Sequence, residues 1–274
     1  MRIGIDIGGT NIRMALVDNG KIAKRISEPC KADQREEIVT EHLIEMLKQI
    51  FSPSVESIGI GVPSIVDAEL GIVYDVMNIP SWKEVHLKEI LEKEFKIPVH
   101  VNNDCNCFVY GEHCFGKCNQ FKDTLGITLG TGLGCAIIIN NVLYNGSNTG
   151  AGEICDIPYL KHNYEYYCST PFFVKEYNTN AKELFEKACR GDAQALKLWN
   201  EFGTHVGNMI KMVLYAYDPQ CIVMGGSIVK AYLFFEKAMR KSLETFAYPK
   251  TIQKIKIFCS EVEDAALLGA AMLG

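Results

Sequence analysis

The sequence predicts an α/β protein of two lobes, and three observations point there. Apolar runs of strand length alternate with segments of helical periodicity along all 274 residues, the pattern of layered sheet and helix. The opening unit is two apolar runs joined by a glycine-rich turn and followed by a weaker third run, and it is echoed from residue 124. Hydrophobic residues make up 48% and charged residues 22%, enough apolar material for a sizeable core and too much for a disordered chain. No low-complexity linker separates the halves, so tightly coupled lobes are expected. The expected division gives residues 1–108 with a C-terminal helix near 262–274 to a smaller lobe, and 109–261 to a larger one.

Taken in order, residues 3–7 (IGIDI) and 12–17 (IRMALV) flank Gly8-Gly9-Thr10-Asn11 and read as a hairpin. The run at 21–25 alternates less clearly. Within 35–51, Ile38, His42, Leu43, Met46, Leu47 and Ile50 recur at helical spacing. SIGIGVP at 57–63 is a buried strand stopped by Pro63. A helix follows at 86–96, and VHVNND at 99–104 is a short strand that enters another helix. From 124, apolar strands flank the turn at Gly130-Thr131-Gly132, with a third after Asn140-Asn141. The remainder is mostly helical, over 181–190, 192–217, 228–246 and 262–273, with CIVMGGS at 221–227 as one more buried strand. In 192–217 the stripe of Leu196, Trp199, Phe202, Val206, Met209, Ile210 and Val213 serves either core packing or assembly.

A net charge of −5 argues against a general nucleic-acid-coating role. No apolar stretch reaches the ~18 residues of a membrane span, and MRIGIDIGG lacks the charged-then-apolar pattern of a leader. A cytoplasmic protein without membrane partners is therefore expected. Its eleven cysteines are then expected to be reduced thiols that pack as small hydrophobes. His113-Cys114 with Cys118 has no second ligand pair at zinc-site spacing.

The chemistry-bearing residues cluster at strand ends. In Asp6-Ile7-Gly8-Gly9-Thr10-Asn11, glycines permit close backbone approach and positive φ, and successive N–H groups can form an anion nest. Thr10 and Asn11 add side-chain donors, and Asp6 is placed to hold Mg²⁺ or its waters. A plain hairpin turn is the competing reading. Leu129-Gly130-Thr131-Gly132-Leu133-Gly134 repeats the theme and reads equally as a bulge. It is neither the dinucleotide fingerprint nor a Walker A loop. Met224-Gly225-Gly226-Ser227 is a third such turn, suited to an adenine lying on backbone. In Val101-Asn102-Asn103-Asp104-Cys105-Asn106, Asp104 is either the N-cap of the following helix or a general base toward an acceptor hydroxyl. Asn78, Trp82, Asn103, Glu153, Asp156 and Glu165 have sugar-binding character, though each alone suits a turn or surface. Glu153 stands out because Gly150-Ala151-Gly152 before it leaves room for a ligand.

Taken together, these segments resemble the ROK family of sugar kinases, of the two-lobed actin-like ATPase (ribonuclease H-like) fold with a cleft between lobes. The matching pieces are DIGGTNIR (6–13), GIGVP (59–63), NIPSW (78–82), NNDCN (102–106), LGTGLG (129–134), GAGEI (150–154), DPQCIVMGGS (218–227) and DAALLGAA (264–271). They follow the family's order and span nearly the whole chain. The resemblance implies that Gly8, Gly9, Thr10, Asn11, Gly130, Thr131 and Gly132 surround the phosphates of ATP, with Asp6 near Mg²⁺. It places Gly225 and Gly226 at the adenosine and makes Asp104 the catalytic base. Asn78, Asn103, Glu153 and Glu165 match positions that hold sugar hydroxyls. In-line transfer of the γ-phosphoryl group to a hexose hydroxyl follows, with glucose as acceptor and a homodimer as the assembly.

The departures bear on the substrate. The family's Gly-Glu-Ile-Gly-His is here Gly152-Glu153-Ile154-Cys155-Asp156, and the cysteine triplet of the family's zinc loop is missing before Cys168. No zinc is therefore expected, and Asp156 becomes the candidate hydroxyl acceptor in place of an imidazole. Ser64 stands where the family usually has glycine. Kinases for fructose, mannose, allose or an N-acetylated hexosamine remain alternatives, as does a non-catalytic sugar-binding member. A sugar-responsive repressor of the same family is disfavoured, since its winged helix would precede the first phosphate turn and this chain is acidic.

Overall fold

The computed structural model describes residues 1–147 and 150–274. Two compact units make up the chain. The first comprises Met1–Gln120, Ala136–Ala151 and Glu261–Gly274, and the second Phe121–Cys135 and Gly152–Ser260.

The first unit opens with β1 (Arg2–Ile7), β2 (Asn11–Asp18) and β3 (Lys21–Pro29). Helix α1 (Glu36–Lys48) and strand β4 (Ser57–Val62) follow. Then come three short strands, β5 (Ile65–Asp67), β6 (Ile72–Tyr74) and β7 (Glu84–Val85), and α2 (Leu87–Phe95). Strand β8 (Val99–Asn103) runs straight into α3 (Asp104–Phe115). The main sheet has the order β3-β2-β1-β4-β8, antiparallel on the hairpin side and parallel from β1 through β4 to β8. Period-2 alternation sends Ile3, Ile5 and Ile7 into one core with Val39, Leu43 and Met46 of α1 and Leu91 of α2. The opposite face carries Ala15 and Val17.

The chain continues through β9 (Thr124–Leu129), β10 (Leu133–Ile139) and β11 (Val142–Leu143). A hairpin of β12 (Pro158–Tyr159) and β13 (His162–Asn163) leads into α4 (Tyr164–Cys168) and a π-helical turn at Phe172–Glu176. Helices α5 (Ala181–Cys189) and α6 (Ala193–Tyr217) precede β14 (Cys221–Gly225). Last come α7 (Tyr232–Leu243), α8 (Pro249–Lys254), β15 (Lys256–Cys259) and α9 (Ala265–Ala271). The second sheet has the order β11-β10-β9-β14-β15, with β14 parallel to both β9 and β15. It repeats the layout of the first, three successive strands and then two that arrive by crossover, which is what the echo in the sequence encodes.

Helix α9 returns to the first unit and covers the Ala15 and Val17 face with Leu267, Leu268 and Ala271. The approach is close enough to demand glycine: a Cβ on Gly59 would lie 1.7 Å from Ala270 O, and one on Gly111 2.0 Å from Ala265 O. This packing holds α3 whole within the first unit, so the division expected after residue 108 falls inside a helix. The units part instead after Gln120. The expected helix at 228–246 is a 3-10 turn at Ser227–Ala231 followed by α7. On α6, Trp199, Phe202, Val206, Met209, Ile210 and Val213 are buried within this chain. Leu196, the remaining member of the stripe, is half-buried, so the stripe serves chiefly core packing. Among the described residues, no helix is long and apolar enough to cross a membrane, and the eleven cysteines are thiols rather than disulfides.

Candidate active site

In the first unit the strand register assembles the acidic residues. Asp6 pairs with Arg13 across the hairpin and with Gly61 on β4, and Gly61 pairs with Asn102 on β8. Strands β1, β4 and β8 end at the same edge, where open α/β sheets bind ligands. Cross-strand pairing sets the Arg13 guanidinium on the Asp6 carboxylate, through Nε at 3.1 Å and through a second, shorter bond. Both fall on Oδ2, which leaves Oδ1 for a cation or its water. Mg²⁺ commonly takes one or two carboxylates together with phosphate and water, so this arrangement fits it.

At the end of β8, Asn103 and not Asp104 caps α3. Its Oδ1 accepts from Cys105 N at 2.8 Å and Asn106 N at 3.3 Å, and its Nδ2 donates to Ser64 O at 3.1 Å. Asp104 therefore opens the helix itself. Its carboxylate accepts from Cys105 N at 2.7 Å and sits at the positive end of the helix dipole. Cys107, one turn on, is buried; that burial pushes its thiol well up, and the nearby carboxylates of Asp104 and then Asp6 push it further. The two acidic candidates thus share one neighbourhood.

Asn78 is exposed and abuts the first glycine turn: a Cβ on Gly9 would lie 2.5 Å from Asn78 Cβ. Gly8 N donates to Asn11 O at 2.9 Å, and Thr10 O accepts from Cys30 N at 2.9 Å, leaving the Thr10 and Asn11 side chains exposed. Of the two uses expected of Gly8 and Gly9, close backbone approach and positive φ, they do not adopt the second, and neither do Gly130 and Gly132. At Gly9 the requirement is close approach. Trp82 is 1% exposed in the core of this unit, so it presents no face to a sugar. The Ser64 hydroxyl donates to Tyr74 O.

In the second unit the second glycine turn is tied to Glu165. Leu133 N donates to Glu165 Oε2 at 3.2 Å, and a Cβ on Gly132 would lie 2.7 Å from that oxygen. Gly130 N donates to Gly132 O at 3.0 Å, while Gly130 O accepts from Thr170 N at 3.0 Å and Thr170 Oγ1 at 2.8 Å. Thr131 at the tip is exposed. Gly226 is the turn glycine that does need positive φ, at 90°, and its Cβ would lie 2.3 Å from Leu129 O. Gly225 is buried at the end of β14 beside it, so the segment expected at adenosine adjoins the second glycine turn.

Glu153, Asp156 and Glu165 gather around Cys155. The Cys155 thiol lies 3.5 Å from Glu153 Oε2 and is directed to it. Burial, then the charges of Glu153 and Asp156, and least that of Glu165, push this thiol up to about 12, which disfavours a free thiolate nucleophile near neutral pH. Asp156 Oδ1 accepts from Asn163 Nδ2 at 3.3 Å. Among the described residues, no group of three or more His, Cys, Asp or Glu side chains is placed to hold a metal ion. Sequence reasoning missed Arg13, Thr170 and Asn163. The hairpin register would have found Arg13, opposite Asp6; nothing local marks the other two.

The ROK family model matches residues 2–274. A glucokinase from Thermotoga maritima is 28% identical, over 99% of this chain and 96% of its own length. A xylose repressor from Bacillus spizizenii is 26% identical, over 99% of this chain and 76% of its own. Among solved structures, a ROK family glucokinase from Streptomyces griseus, in complex with glucose and AMPPNP, is 25% identical with a TM-score of 0.83, covering 100% of this chain and 98% of that one. With family and fold agreeing over the whole length, the chain belongs to the ROK family and has the actin-like ATPase fold of its sugar kinases.

Proposed function

We propose that the protein transfers the γ-phosphoryl group of ATP to a hydroxyl of a hexose, with glucose as the acceptor, in the cytoplasm. One observation carries this: each glycine-rich turn suited to phosphate is packed against a residue suited to sugar. Gly9 abuts Asn78 in the first unit, and Gly132 and Leu133 abut Glu165 in the second. Groups for the two substrates are thereby built as single pieces.

Bound Mg²⁺-ATP supplies the phosphoryl group and screens its charge. Backbone N–H groups and the Thr10, Asn11 and Thr131 hydroxyl or amide groups hold phosphate oxygens, and Gly225-Gly226 supports the adenosine. Asp6 Oδ1 is the carboxylate oxygen for Mg²⁺ or its water. Asn78, Glu153, Asp156 and Glu165 hold sugar hydroxyls. Asn103 acts through its cap, fixing the first turn of α3 on which Asp104 stands. Asp104 accepts the proton of the attacking hydroxyl. General-base help of this kind contributes about 10²–10⁴-fold, and orientation with aligned donors supplies much of the rest.

The test is ADP release with Mg²⁺-ATP against glucose, fructose, mannose, allose and N-acetylated hexosamines, with Asp104→Asn in parallel. The likeness to a xylose repressor favours a second reading, a sugar-binding protein without turnover. It predicts sugar binding by calorimetry with no ADP release.

A further inference from the structure

The segment between Asp156 and Glu165 carries no role in the scheme above, yet it joins two candidate sugar residues. It is the β12–β13 hairpin, in which Pro158 pairs with Asn163 and Tyr159 with His162. Two side chains at opposite ends of that pairing do work that the backbone cannot.

Asn163 faces both ways. Its Oδ1 accepts from Tyr166 N at 2.9 Å and so caps α4, the short helix whose second residue is Glu165. Its Nδ2 donates to Asp156 Oδ1 at 3.3 Å. One amide therefore sets the first turn of α4 and restrains the Asp156 carboxylate. A carboxylate in its place would cap equally well but would donate nothing and would repel Asp156.

Tyr159 fixes the hairpin to α6. Its ring stacks on Tyr164 with centroids 4.4 Å apart, and meets Tyr167 edge-on at 5.5 Å. Its hydroxyl accepts from Asn208 Nδ2 at 2.7 Å and lies 3.1 Å from His205 Nδ1. Asn208 Oδ1 in turn accepts from Ser242 Oγ at 2.8 Å. The Tyr159 hydroxyl is thus within hydrogen-bond distance of two α6 side chains, Asn208 and His205, and Tyr159 is the link between helix and hairpin.

We infer that Asn163 and Tyr159 are positioning residues for sugar recognition: Asn163 sets Asp156 and Glu165 with respect to each other, and Tyr159 anchors the hairpin that carries Asn163. The inference rests on the proposed sugar-kinase reading for its kinetic consequence, but not for its structural one. Misplacing Glu165 removes the acceptor of the Leu133 N–H, and that is measurable with no sugar present. These residues touch Asp156 and the α4 turn that carries Glu165, so their loss is expected to show more in the sugar KM than in that for ATP.

The experiment uses the full chain, unchanged and as Asn163→Ala, Asn163→Asp and Tyr159→Phe. Hydrogen exchange at the Leu133 amide is read by NMR, and kinetics are read with whichever sugar of the panel is phosphorylated. Asn163→Ala is expected to speed Leu133 exchange at least about tenfold and to raise the sugar KM by about tenfold, as loss of a hydrogen bond to a charged group does. Asn163→Asp keeps the cap, so Leu133 exchange stays as in the unchanged chain while the sugar KM still rises. Tyr159→Phe raises the sugar KM by more than the KM for ATP. Unaltered Leu133 exchange in Asn163→Ala overturns the inference. So does a sugar KM in Asn163→Asp equal to that of the unchanged chain. If no sugar is phosphorylated by the unchanged chain, the kinase reading falls separately, and Leu133 exchange alone decides the positioning role.

Discussion

Replacing Asn103 by alanine separates helix capping from direct ligand contact at the end of β8. The side chain makes three bonds: two accepted from the first turn of α3 and one donated to Ser64 O. Losing an N-cap of this type costs about 1 kcal/mol, and a lost amide–carbonyl bond costs about another 1 kcal/mol. The sum, about 2 kcal/mol, corresponds to a fall of roughly 3–4 °C in the unfolding midpoint of a chain this long. Asn103→Asp retains the acceptor and loses only the Ser64 bond, so it should recover about half of that loss. Because Asp104 stands on the capped turn, Asn103→Ala should also lower kcat, with Asn103→Asp intermediate. Thermal unfolding and ADP release on the same samples provide the check. An Asn103→Ala protein that melts with the unchanged chain and differs only in sugar KM would refute the assignment and make Asn103 a sugar ligand.

Gly9→Ala would place a methyl group 2.5 Å from Asn78 Cβ; the turn or Asn78 must move, so KM for ATP and for sugar should rise together in steady-state assays. Gly132→Ala meets only the mobile end of Glu165, at 2.7 Å, and should chiefly raise the sugar KM. His205 gives a pH signature. Burial lowers its pKa from 6.5 in the folded chain, partly opposed by Glu201 and Glu176, so below pH 6.5 the unfolded chain binds the additional proton. Its contribution to stability is full above 6.5 and is lost as pH falls toward the depressed folded value. His205→Gln should flatten that part of the stability profile in denaturant titrations from pH 7.5 to 5; an unchanged slope would contradict the buried neutral imidazole. His100 and His113 are lowered by burial too, so some slope remains in the variant.

The main sheets and the long helices were legible because their signals are local. Ile3, Ile5 and Ile7 alternate, Leu43, Met46 and Leu47 recur at helical spacing, and Gly-Gly and Gly-Thr-Gly interrupt apolar runs. The short pieces were not: β5, β6 and β7 span two or three residues each, too few for a period to declare itself. Trp82 was grouped with residues of sugar-binding character, but tertiary packing takes it into the core. Asn103 and Asp104 carry the same local capping signal, and the start of the helix decides between them. The pairing of Gly9 with Asn78 joins residues 69 positions apart in the numbering, and that of Gly132 with Glu165 joins residues 33 apart. No window of sequence holds either pair. The hairpin at 158–163 leaves no local signal, because its strands are two residues each and the aromatic and amide contacts of Tyr159 and Asn163 form only once α4 and α6 are packed.

The central claim is tested most directly by coupled ADP release with Mg²⁺-ATP and the hexose panel, comparing the unchanged chain with Asp104→Asn. The account predicts turnover with one or a few hexoses, a fall of about 10²–10⁴-fold in kcat for Asp104→Asn, and retained sugar binding in that variant by calorimetry. Turnover in Asp104→Asn equal to that of the unchanged chain would remove Asp104 as the base. Sugar binding with no ADP release from either protein would contradict the kinase itself.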